Sequence, residues 1–92
     1  MTKIWIVEGA TGEYSDHIEW PVCAFRDEKQ AQALAEELAA LGRAADQAAR
    51  AKDGWYGDWD DTEEGKLWKA KDPSASLDYT GVNYRAYAIN LL

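Results

Sequence analysis

Residues 4–7 read Ile-Trp-Ile-Val, a continuous apolar run of β-branched and aromatic side chains. Such a run is too short for a helix, and without polar alternation it has two faces to bury. It therefore predicts the centre of a small sheet, and the rest of the chain must supply its neighbours and its cover. Residues 9–17, GATGEYSDH, carry the Gly, Ser and Asp of a loop or turn. Residues 18–25, IEWPVCAF, return as a second strand, antiparallel to the first. Pro21 has no N–H to give a ladder, so this strand is expected at an edge or with a bulge at Trp20-Pro21.

A helix follows. Asp27 is placed to cap it, with Gln30 three residues on as the capping-box partner and acids suited to its first turn. Ala31, Leu34, Leu38, Leu41, Ala45 and Ala48 recur at spacings of three and four, one stripe of a helix running to about Lys52. Gly42 costs roughly 1 kcal/mol against Ala in a helix interior, so two forms are open. The helix either continues past the sheet as an Ala-rich overhang or kinks at Gly42 and folds back.

Residues 53–65, DGWYGDWDDTEEG, place six acids among Trp55, Tyr56 and Trp59. Neither helix nor strand is predicted between residues 54 and 78, and irregular segments of that length are often functional. Residues 79–92 then resume the period-two pattern, with Val82, Tyr84, Ala86 and Ala88 alternating against Arg85, Tyr87, Ile89 and Leu91. The order is strand, strand, helix, strand. A right-handed crossover makes the second and last strands parallel, with the first between them. The expected fold is α+β, a ββαβ single domain over residues 1–92 with sheet order 2-1-3 and one long helix on one face. The other face needs cover as well, and the Trp-rich residues 55–68 are expected to provide it in preference to a second copy.

Composition narrows the function. Seventeen acids against ten bases give a net charge of −7, unfavourable for direct contact with a phosphate backbone and suited to solubility, a basic protein partner or mimicry of a nucleic acid. The lone Cys23 cannot form an internal disulfide, and the short apolar run near the N-terminus is neither a signal peptide nor a membrane span. A cytoplasmic protein is expected, and no membrane partner.

No arrangement of catalytic groups emerges. Ser15, Asp16 and His17 are sequence neighbours and do not face one another as a triad requires. His17 with Cys23 lacks an orienting third group. Asp58, Asp60, Asp61, Glu63 and Glu64 invite a calcium reading, but Glu63 stands where an EF-hand loop needs Gly. The expectation is no enzyme, no cofactor and no metal. Trp55, Tyr56, Trp59 and Trp68 suit a protein interface better than single-stranded nucleic acid, which wants a basic groove.

The opening VEGATGEYSDHIEWPVCAF followed by RDEKQAQA resembles a family of small uncharacterised proteins encoded by bacteriophages and prophages. Its members begin with a strand, a Gly-x-Tyr-Ser-Asp loop, a second strand ending in a hydrophobic-Phe pair and an acidic helix start. The likeness covers about the first 40 residues; the Trp-rich segment departs from it. It implies a phage context and a ββαβ fold, and it transfers no catalytic residue. By analogy of class, small acidic phage proteins such as anti-CRISPR inhibitors block a host defence protein. The expected partner is thus a host protein or complex, met by Tyr14, Asp16, Trp55, Tyr56, Asp58, Trp59, Asp60 and Asp61, with a homodimer as a further expectation. The alternative is a small-ligand binder, for example a nucleotide sponge, that stacks its ligand in an aromatic pocket of Trp55, Trp59 and Tyr14.

Overall fold

The computed structural model describes residues 2–13, 15, 17–53, 58–78 and 80–91. Strand β1 spans Lys3–Thr11, β2 Ile18–Phe25, helix α1 Glu28–Asp53, a single 3-10 turn Trp59–Asp61, helix α2 Glu63–Lys71 and strand β3 Val82–Asn90. The fold is α+β, and the sheet order is β2-β1-β3 with β1 antiparallel to both neighbours. The apolar run thus lies in the central strand, as its composition requires. β2 is an edge strand and also bulges. Val7 faces Cys23 while Glu8 faces Pro21, so the extra residue is Val22, one position later than expected.

Register fixes the two faces of the sheet, because directly paired residues share a face and successive residues alternate. Trp5, Val7, Gly9 and Thr11 point one way, together with Trp20 and Cys23 on β2 and with Val82, Tyr84 and Ala86 on β3. This is the helix side. Val7 and the α1 residues Ala31, Ala35 and Leu38 are buried in one cluster there.

α1 is unbroken across Gly42, so no kink folds its second half back. At 1.5 Å per residue its 26 residues span about 39 Å, longer than the strands beneath. The overhang is covered within the chain by α2, which packs chiefly on α1. The innermost line of α1 is Ala31, Ala35, Leu38, Gly42, Ala45 and Ala49, with Leu34, Leu41 and Ala48 half-buried beside it. It differs from the expected stripe because small residues stand where α2 comes nearest. Gly42 shows why: a Cβ there would lie 2.5 Å from Val82 Cγ1 and 3.2 Å from the indole of Trp68. The glycine is a notch that seats a tryptophan.

α2 is a correction to the expected irregular stretch. Its nine residues, EEGKLWKAK, bury a single large side chain, Trp68, so they show no apolar periodicity. Its ends do carry a signal. Thr62 Oγ1 accepts the Gly65 amide at 2.9 Å as an N-cap, with Glu63 and Glu64 in the first turn and Lys69 and Lys71 in the last, the arrangement the helix dipole favours.

The expected cover of the second sheet face is also corrected. Trp59 and Trp68 pack on the helix side, where Gly42 and Tyr84 receive them. Among the described residues no element lies over the opposite face, which carries Ile4, Ile6 and Ala10 of β1 beside Tyr87 and Ile89 of β3.

Candidate functional site

The interior holds a buried carboxylate. Asp72 follows α2 and is 1% exposed. Its Oδ2 accepts the Trp20 indole N–H at 2.8 Å and the Tyr84 hydroxyl at 2.6 Å, and its Oδ1 accepts the Ser74 amide at 3.1 Å. Tyr84 Oη in turn accepts the Trp68 indole N–H at 2.8 Å. Strand β2, strand β3 and the end of α2 are thereby tied to one side chain, with each buried donor satisfied. Burial, then the hydrogen bond and charge of Asp72, push the Tyr84 hydroxyl far above the ordinary tyrosine range, against a smaller opposing effect of the Trp68 N–H. The group is a structural anchor. It positions the surface that α2 carries.

That surface is acidic. Asp58, Asp60 and Asp61 are exposed around the 3-10 turn, and Glu63 is exposed at the start of α2 with Glu64 half-buried beside it. The turn is held by the Asp61 amide donating to the Asp58 carbonyl at 3.2 Å and the Thr62 hydroxyl donating to the Trp59 carbonyl at 2.6 Å. Gly65 permits this close return, since a Cβ there would sit 1.8 Å from the Trp59 carbonyl oxygen. Among the described residues none of these five carboxylates forms an ion pair; Glu8, Glu19, Glu37 and Asp46 are the acids that do.

Trp59 is half-buried. Its ring meets Trp68 at a centroid distance of 4.8 Å, and Lys69 Nζ stands 5.5 Å from its centre. The structure thus joins Asp58, Asp60 and Asp61 on one exposed surface and turns Trp59 into the packing beneath it. Tyr14, Asp16, Trp55 and Tyr56 lie outside the described residues. Lys69 and Lys71 are drawn to Trp59 and to Glu37.

A second polar group sits on the uncovered sheet face; its members are far apart in the chain, so no sequence motif marks it. Arg85 donates through Nε to Glu8 Oε1 at 3.0 Å and forms an ion pair with the same oxygen, 2.9 Å from Nη2, and Tyr87 Oη is 3.4 Å from Glu8 Oε2. The guanidinium lies 4.8 Å from the centre of the Tyr87 ring. Beyond it, His17 sets Nε2 2.9 Å from Glu19 Oε1 and Nδ1 3.1 Å from the Gly12 carbonyl oxygen. Both partners accept, so they favour the doubly protonated ring. The pKa of His17 is raised, first by Glu19 and then by Gly12.

His17 and Cys23 do not meet. Six residues of extended chain separate them by about 20 Å, and Cys23 faces the helix side opposite Val7. Burial raises the Cys23 pKa, with the Asp72 charge adding to it. Among the described residues no three His, Cys, Asp or Glu side chains converge to hold a metal ion. Nor is any described helix long and apolar enough to cross a membrane. Comparison with protein families, characterised proteins and solved structures finds no significant match.

Proposed function

We propose that this chain is a non-enzymatic protein-binding module that offers an acidic surface to a basic patch on a host protein or protein complex. In this reading it is a phage-encoded inhibitor of a host defence protein, acting by occupation of a site as anti-CRISPR proteins do. One observation carries the binding surface: Asp58, Asp60, Asp61, Glu63 and Glu64 share a single turn and helix start without ion-pair partners among the described residues. Unneutralised carboxylates held together raise a local negative potential that steers a basic partner inward and repels nucleic acid. The aromatic groups at this end support the surface from below. The phage setting rests on the resemblance of the opening segment.

The test is affinity capture from a bacterial host, followed by binding kinetics on the captured protein. Charge reversal at Asp58, Asp60 and Asp61 should slow association by about tenfold or more and flatten its salt dependence, since exposed charges act mainly on the on-rate. The dissociation rate should change less. An unaltered on-rate would remove the acidic surface from the mechanism.

A further inference from the structure

The two edges of the sheet are not alike. β2 is guarded against pairing by Pro21 and by the bulge at Val22, two of the devices that keep edges from associating. β3 has neither: its nine residues VNYRAYAIN pair with β1 in unbroken register from Val82 to Asn90. It also lacks lysine, and its one cation, Arg85, is turned onto Glu8. Nine residues give about 30 Å of edge. Among the described residues none pairs with its outer side.

Charge distribution says what fits that edge. In a chain with 17 acids, residues 79–92 contain none. A second copy brought to β3 therefore does not oppose acid with acid. The strand is also complementary to itself when run antiparallel about its midpoint, Ala86. All nine residues then overlap. Arg85 falls opposite Tyr87 of the second copy, Tyr84 opposite Ala88, and Asn83 opposite Ile89. No like charges meet, and on the helix side the large Tyr84 faces the small Ala88 on either side of the Ala86–Ala86 pair. A shift of the centre to Arg85 sets arginine against arginine, which is unfavourable, and any shift shortens the overlap. Beside this edge lies a groove of about 260 Å³, lined by Gln32, Ala35, Glu36 and Ala39 of α1 and by Tyr84–Ala86 and large enough to take side chains of a second copy.

We propose that two copies pair through β3, antiparallel and centred on Ala86, into a continuous six-stranded sheet with both helix layers on one side. The open face, with Ile4, Ile6, Tyr87, Ile89 and the Arg85–Glu8 pair, then continues across the two-fold axis, and the assembly carries two acidic surfaces. This does not rest on the partner reading above, and either can fail alone.

Sedimentation velocity and native mass spectrometry across a concentration series test it. The unaltered chain should reach twice its monomer mass. Asn83→Lys with Ile89→Lys places lysine opposite lysine twice in this register. Both positions are exposed in the single chain, so circular dichroism should be unchanged while dimerisation weakens by about tenfold or more. Asn83→Lys with Ile89→Glu sets opposite charges against each other in the same register and should restore the dimer. A chain that stays monomeric at all concentrations overturns the proposal. A dimer indifferent to the double lysine variant, or one that the charge swap fails to restore, overturns the β3 register.

Discussion

Asp72→Ala offers the sharpest test of how this fold is held. The substitution leaves the Trp20 indole N–H and the Tyr84 hydroxyl without the acceptor that now sits 2.8 and 2.6 Å away. Each buried donor left unmade costs about 1–3 kcal/mol. The Ser74 amide is half-exposed to water and adds little. The sum is about 4 kcal/mol, a large share of the roughly 5–14 kcal/mol expected for a domain of this size. At roughly 4–8 °C per kcal/mol, Tm should fall by about 15–30 °C. Asp72→Asn separates acceptor geometry from charge. Its carbonyl can take the Oδ2 position and accept both donors, while its amide then meets the Ser74 N–H as donor against donor. The loss should be about 1–2 kcal/mol, from that contact and from the weaker neutral hydrogen bonds. Urea unfolding followed by tryptophan fluorescence and circular dichroism measures both variants. An Asp72→Ala protein within 1 kcal/mol of the unaltered chain, at the same denaturant slope, would refute the assignment of Asp72 as the anchor.

Two further predictions concern the same interior. Gly42→Ala gains about 1 kcal/mol of helix propensity but sets a Cβ 2.5 Å from Val82 and 3.2 Å from Trp68; overpacking of about 1–3 kcal/mol should win, giving a net loss in urea unfolding. Gly65→Ala should lose more, because the obstructing atom is the Trp59 backbone oxygen and cannot rotate away; a stabilised variant at either position would contradict the packing described. In alkali, an unfolded chain loses the Tyr84 proton once the pH passes about 10, whereas the folded chain keeps it. The stabilisation is complete below that pH and declines as the pH climbs toward the folded value. The urea midpoint should thus fall above pH 10, and Tyr84→Phe should make that fall shallower; an equal slope in the variant would place the effect elsewhere.

What the sequence made legible was what periodicity and chain covalency control. The apolar run at residues 4–7 identified the central strand, Pro21 identified an edge, and the alternation from Val82 to Ile89 identified the last strand and the faces of its residues. α2 was hidden because one tryptophan supplies its burial, and a single anchor has no period. Its capping threonine and its charge gradient were there to be read. Asp72 stayed hidden because nothing local announces that Trp20 and Tyr84, 52 and 12 residues away, converge on it. The aromatic segment misled in another way. Trp59 and Trp68 looked like a lid or an interface, and their destination depended on a notch made by Gly42, a residue whose local reading was a helix defect.

The acidic surface and the buried anchor are one device seen from two sides. A nine-residue helix is far too short to be stable in water alone, so the orientation of Glu63, Glu64 and the preceding aspartates comes from the contacts that fix α2. Those contacts are Trp68 in the Gly42 notch, the Thr62 cap and the Asp72–Tyr84–Trp20 group just beyond the helix. Carboxylates gathered on one turn repel one another and work against that arrangement. A basic partner would relieve the repulsion, so its binding should raise the stability of the fold by mass action. The same linkage runs in reverse. Loosening Asp72 should spread the carboxylates over more conformations and weaken partner binding while every surface acid stays in the chain, an effect that charge reversal at the surface cannot produce.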